Sequence, residues 1–184
     1  MNTRPTDVLE QEHRYIQKVI GALALEADVI EHEGTADLAL LQQVVEFLRI
    51  FADLRHNGKE ESVFFVVLEE RGMPAADSPL AALKYEHEVG RSLVAALAGI
   101  AARTRRGESV PVDEIVICLR NLVDFYSELI WKENYQLFPL AQEVLSTHDE
   151  AEVLRMFGQS DWLIGTEQHA KYERFADELS ARVG

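Results

Sequence analysis

Two residues, His56 and Glu60, stand four apart inside Phe51-Ala-Asp-Leu-Arg-His-Asn-Gly-Lys-Glu-Glu-Ser-Val-Phe-Phe65. On a helix that spacing stacks both side chains on one face, about one turn apart. An imidazole and a carboxylate so placed can grip one metal ion, or hold one each of a close pair. A second stretch, Trp131-Lys-Glu-Asn-Tyr-Gln-Leu-Phe-Pro139, repeats the pattern of an apolar helix carrying Lys-Glu and closing in aromatic residues. Chemistry of this kind needs further nitrogen and oxygen donors at the same level, so the elements that carry the other histidines decide the matter.

Those elements are all helical, and no convincing strand is present. The first helix spans about Thr6–Glu33, with Thr6 as N-cap and Leu9, Ile16, Val19, Ile20, Leu23 and Ala27 on its apolar face. The second spans about Leu38–Arg71, roughly 50 Å at about 1.5 Å per residue. Gly58 lies within it, where a glycine is useful if another helix or a ligand comes close. The third runs from about Ser78, with Pro79 in its first turn, to Arg106, and carries His87. The fourth spans about Pro111–Leu145, with Pro139 predicting a kink or an effective end near Leu137. The fifth spans about Asp149–Arg182, interrupted by Gly158 and Gly165. Long helices and short turns predict an antiparallel up-down four-helix bundle, about residues 6–146, with an additional C-terminal helix, about 149–182. We read residues 1–184 as a single all-α domain.

Composition narrows the function classes. A net charge of −14 argues against nucleic acid and against an anionic membrane surface. Apolar residues make up 47% of the chain, enough for an ordinary core. Cys118 is the one cysteine, so no intrachain disulfide can form. The opening residues show no apolar signal region, and no apolar run reaches the ~18 residues that span a bilayer. A cytoplasmic setting is the expectation.

Of the six histidines, His32 and His148 fall at predicted helix ends, and His13, His56, His87 and His169 lie in helix interiors. In an antiparallel bundle His13, His56, His87 and Glu133 come to nearly one level on four different helices. A bundle builds an internal metal site in this way. One alternative within the metal class is the ferritin-like Glu-x-x-His pattern. Glu10-Gln-Glu-His13 fits it, and Asp53-Leu-Arg-His56 comes near.

The runs Glu12-His13-Arg14, His56-Asn-Gly-Lys-Glu-Glu61, Glu86-His87-Glu88-Val-Gly-Arg91 and Lys132-Glu133-Asn-Tyr-Gln-Leu-Phe-Pro139 resemble the hemerythrin-like, or HHE cation-binding, family. A C-terminal Gly165-x-x-x-His169-x-x-Tyr172 resembles the end of its longer bacterial members. The resemblance implies a non-heme di-iron centre with His13, His56, His87, Glu60 and Glu133 as metal ligands and the two glutamates as bridges. Iron is the implied metal, with manganese or zinc compatible with the same donors. A small ligand such as oxygen, peroxide or nitric oxide is the implied partner, and any enzyme activity would be that of an oxygen- or peroxide-reactive oxidoreductase. An iron or oxygen sensor, an iron-storage module and a metal-free structural bundle are the other readings.

The chain departs from the family pattern at four places. Leu129 stands where a histidine is usual four residues before the fourth-helix glutamate, and Asn57, Tyr85 and Glu173 also replace histidines. Leu129 removes a nitrogen ligand. His169 and Glu173 are spaced as a second His/Glu pair that could compensate. Tyr126 and Tyr85 are expected in the core or behind the ligands, Arg91 in a salt bridge, and Cys118 in apolar packing.

Overall fold

The computed structural model describes residues 3–182. Its first rod is α1, Pro5–Glu33. The second rod is continuous but of mixed character: α2 (Leu38–Phe47), a π-helical stretch (Leu48–Asn57), a second π-helical stretch (Glu60–Phe64) and α3 (Phe65–Glu70). The third is α4, Pro79–Arg105. The fourth joins α5 (Val112–Lys132), a π-helical turn (Glu133–Leu137) and α6 (Phe138–Val144). The C-terminal pair is α7 (Thr147–Ile164) and α8 (Thr166–Ala181). Neighbouring rods pack α1 on α5, α5 on α4, and α4 on the second rod. The second rod also packs on α1, α8 lies along α1, and α7 lies against the π-helical stretches. This is the four-helix bundle with an additional C-terminal element, and no strand occurs among the described residues.

The second rod is π-helical because of how its buried residues are spaced. Phe47, Phe51, Arg55, Lys59, Val63 and Val67 are all buried, and so are Leu48, Ala52, His56, Glu60, Phe64 and Leu68. Each row repeats every four residues. An α-helix turns about 100° per residue, so a four-residue repeat drifts by about 40° per step and would carry its ends away from the core. The wider i→i+5 turns absorb that drift and keep both rows facing inward. The fourth rod does the same over Leu129, Glu133, Leu137 and Ala141. His56, Glu60 and Glu133 therefore all sit in π-helical backbone.

Several boundaries differ from the sequence expectation for identifiable reasons. α1 begins at Pro5 and not at a Thr6 cap. The Asp7 carboxylate accepts from the Arg4 backbone N–H at 2.8 Å, and Thr6 turns inward to accept from Gln142 at 3.0 Å. Pro139 does not end the fourth rod. The π turn just before it accommodates a residue without an N–H, and helix continues to Val144. Gly158 leaves α7 unbroken, whereas Gly165, at φ 97°, separates α7 from α8. Gly58 meets no close neighbour: a Cβ there would lie an ordinary 3.7 Å from the Asp53 carbonyl. The close approach is at Gly90 on α4, where a Cβ would fall 2.8 Å from the Phe125 ring.

Two apolar clusters fill the bundle. One gathers Ile16, Leu23, Phe51, Val94, Leu122 and Tyr126, and takes in Cys118. The other gathers Leu9, Phe64, Leu83, Leu129, Leu137 and Phe157. On the first three rods the chain passes from one cluster to the other across polar residues, Glu12-His13, the stretch Arg55–Glu60 and His87, and on the fourth Glu133 follows the change from Tyr126 and Ile130 of the first cluster to Leu129 and Leu137 of the second. The polar layer is thus a slab between two hydrophobic halves.

Candidate metal centre

Rod one contributes His13, rod two His56 and Glu60, rod three His87 and rod four Glu133, and all five are buried. The donor atoms of His13, His56, Glu60 and Glu133 lie within 4.8 Å of one another. His87 joins from the far side, its Nε2 3.3 Å from Glu133 Oε1 and 3.4 Å from Glu60 Oε2. The two carboxylates therefore stand between the His13/His56 pair and His87.

All three imidazoles are oriented alike. Each turns Nε2 inward and binds an outer acceptor through Nδ1. His13 Nδ1 donates to Asn134 Oδ1 at 2.7 Å, His56 Nδ1 to Glu12 Oε2 at 3.0 Å, and His87 Nδ1 to Glu61 Oε1 at 2.7 Å. Burial alone would raise the Glu12 carboxyl, but His56, Lys59 and Arg55 bring it down to about 2, so it can only accept. His56 must then carry its proton on Nδ1 and present a lone pair at Nε2. The Nε2 atoms of His13 and His56 stand 2.9 Å apart, and His13 Nε2 also lies within ion-pair distance of Glu133 Oε2, 3.0 Å. The rings are held flat by aromatic neighbours, His13 on Phe138 at 5.6 Å and His87 on Phe65 at 5.9 Å.

The slab has more acceptors than donors. Both oxygens of Glu60 and Oε2 of Glu133 are buried without a hydrogen-bond partner. Burial, and then the charge of Glu133, pushes the Glu60 carboxyl well above its ordinary value. Burial and the facing His13 push His56 down to about 4, which keeps it neutral. His87 is the opposite case. Burial would lower it, but hydrogen bonds to Glu133 and Glu61 and the charge of Glu60 raise it to about 10. Orphaned carboxylate oxygens beside converging imidazole nitrogens are what a cation would satisfy, and imidazole with carboxylate suits iron, manganese or zinc. The residues present fit a metal.

One residue outward on the second rod lies a different layer. Lys59, 0% exposed, donates to Glu12 Oε1 and, at 3.1 Å, to Asp161 Oδ1 of α7. Arg55 donates through Nε to Asp161 Oδ1 at 2.9 Å, and its Nη1 lies 3.0 Å from Glu12 Oε1. Its Nη2 donates to His169 Nε2 at 2.7 Å. His169 and Glu173 are thus not brought to the slab. They sit about one-third exposed on α8, 3.6 Å from each other, with His169 held by the Arg55 guanidinium. The geometry gives no support to their compensating for Leu129. Leu129 itself is buried in the second apolar cluster, so an apolar wall stands where the family's usual histidine would point. Tyr126 is buried, as anticipated, whereas Tyr85 is 71% exposed and takes no part. Arg91 is a salt-bridge residue, 2.8 Å from Asp53 and 2.7 Å from Glu61, and so fixes the acceptor of His87.

Glu12, Arg55, Lys59, Glu61, Asn134 and Asp161 were not among the sequence candidates. Each is polar on a helix, and only the packing of neighbouring rods shows that its face is covered.

No relative among curated proteins matches the chain. The family profile described as the hemerythrin HHE cation-binding domain matches residues 4–141. That span contains all five residues of the slab and stops short of α7 and α8. By that match, over well more than half its length, the chain belongs to the hemerythrin HHE cation-binding family.

Proposed function

We propose that the slab holds two iron ions and that the protein reacts with a small oxygen-derived ligand, peroxide or dioxygen. In this reading His13 and His56 serve one ion, His87 the other, and Glu60 and Glu133 lie between them. The observation that carries it is the set of orphaned oxygens on Glu60 and Glu133, clustered with His13 and His56 and faced by His87 Nε2. Two carboxylates between two cations offset their mutual repulsion, and iron so held supplies redox and Lewis-acid chemistry toward a bound small molecule. The protein's own groups do the rest. Asn134, Glu12 and Glu61 fix the ring tautomers, Phe138 and Phe65 hold the rings flat, and the two apolar clusters exclude water above and below.

Leu129 supports reactivity over storage of a closed centre. It supplies no donor, so an ion at that end keeps a position for an outside ligand. A cavity of ≈360 Å³ lined by Gln17, Ile20, Gly21, Tyr126, Ile130 and Asn134 reaches the outer partner of His13 and is large enough for a small molecule. Cys118, buried in the core, is a thiol suited to a cytoplasmic setting. Among the described residues no helix is long and apolar enough to cross a membrane.

The test is metal content per chain, followed by turnover. Protein loaded with ferrous iron should hold close to two ions and consume added peroxide catalytically, and Glu60→Ala should lose both properties. Two irons without peroxide consumption would overturn the reactive reading and leave a sensor or storage module. No bound metal, with a chelator changing neither helicity nor melting temperature, would leave a structural bundle.

A further inference from the structure

We propose that Asp161, on the helix pair beyond the family match, is a positioning residue of the metal centre. It balances Arg55 and Lys59 so that Glu12 keeps one carboxylate oxygen for His56. The inference rests on the slab being the metal site.

The argument is one of donors and charges. Glu12 has two oxygens and three positive or N–H groups around it: His56 Nδ1 and Lys59 Nζ donate to it, and Arg55 Nη1 lies at ion-pair distance, 3.0 Å, without making a hydrogen bond. Arg55 and Lys59 are both buried cations, and Glu12 is their only acid on the four rods. Asp161 supplies the second acid from α7. Its Oδ1 accepts from Arg55 Nε and Lys59 Nζ, and its Oδ2 accepts from Arg55 Nη2 at 3.3 Å. The four charges then sum to zero, and Glu12 Oε2 is left to His56.

Neutralising Asp161 changes both counts. One carboxylate must serve two buried cations, which draws Glu12 away from His56 and frees the imidazole to rotate. One uncompensated positive charge also remains beside a layer that has to accept cations. Both effects weaken metal binding at the His56 end. Losing an outer-shell partner of a metal-binding histidine typically costs 10–100-fold in metal affinity. Linkage makes the coupling reciprocal: if docked α7 tightens metal binding by some factor, bound metal tightens the docking of α7 by the same factor. The C-terminal pair is then part of the centre and reports its occupancy.

The experiment is a cobalt(II) titration followed by visible absorption on the full-length protein, wild type and three variants. Asp161→Asn should bind cobalt at least about tenfold more weakly. Asp161→Glu should recover part of the loss. Asp177→Asn breaks an exposed ion pair between α8 and Lys18 on α1, and should bind as wild type. In the metal-free protein the His56 Nδ1–H proton resonance should move in Asp161→Asn and stay in place in Asp177→Asn. A folded Asp161→Asn protein with unchanged affinity and an unchanged His56 resonance overturns the proposal and leaves the metal reading intact. Wild type that binds no cobalt overturns both. Amide exchange in wild-type α7 gives a second measurement that needs no variant: cobalt should slow it by the coupling factor, and exchange indifferent to cobalt overturns the proposal.

Discussion

Two rows of the same rod, one residue apart, bury charge in opposite ways. The outer row holds Arg55 and Lys59 against Glu12 and Asp161, two cations and two anions. The inner row holds His56 and Glu60, joined by His13, His87 and Glu133, with three carboxylate oxygens left without a hydrogen bond. Arg55 and Lys59 are as buried as His56 and Glu60, so burial does not separate the rows on this rod. Balance does. Where buried charges cancel, the polar group is part of the architecture. Where acceptors outnumber donors, the protein has left room for something positive.

The same substitution at two adjacent positions should therefore act with opposite signs. Lys59→Met removes one partner from the balanced row and leaves buried acid uncompensated, and should cost about 3–5 kcal/mol in chemical denaturation, with or without metal. A cost near zero would show that the outer row is not balanced by Lys59. Leu129→His places a polar ring in the apolar wall. Metal-free protein should lose about 1–3 kcal/mol. Iron affinity should rise as the missing nitrogen returns, so the variant should be destabilised without metal and recover on loading. Glu60→Met removes two orphaned oxygens, and the metal-free protein should gain about 1 kcal/mol while iron binding is lost. A loss of metal-free stability would mean that Glu60 is structurally satisfied after all.

The smallest effect should come from a balanced pair, Arg71–Asp149, whose arginine is exposed. Hydrogen bonds from Arg71 and then Ser146 hold the Asp149 carboxyl far below its ordinary value. A lowered acid stabilises the fold above its unfolded value, about 4, and loses that contribution as pH falls through the folded value. The stability difference between wild type and Asp149→Asn should accordingly be present at neutral pH and shrink steadily below about pH 4. A difference that grows in acid would reverse the assignment.

Much of the inner row was legible in the sequence. His56 and Glu60 four apart, and His13, His87 and Glu133 at matching depths of antiparallel helices, needed only helical period and chain direction. The outer row was not legible. An arginine and a lysine on a helix ordinarily face water, and what covers them here is α7, a helix about a hundred residues further along the chain. Gly58 and Gly90 make the same point. The glycine inside the motif drew attention, yet the tight contact belongs to Gly90, because the neighbouring Phe125 is set by how α4 meets α5. The π-helical stretches did leave a trace, the four-residue repeat from Phe47 to Leu68, which a search at 3.6 residues per turn passes over.

That repeat has a consequence for which changes of chain length the protein can absorb. A substitution in either row changes one side chain and leaves the rest where it was. Inserting or deleting a single residue between Phe47 and Leu68 rotates everything on one side of it by about 100°. Cations would then face the slab and ligands would face α7, while the apolar positions left the core together. The turn at Gly72–Asp77 carries no such rows and has room to lengthen. Natural length variation in chains built this way should therefore collect in the turns, and the rod that bears His56 and Glu60 should keep a fixed count.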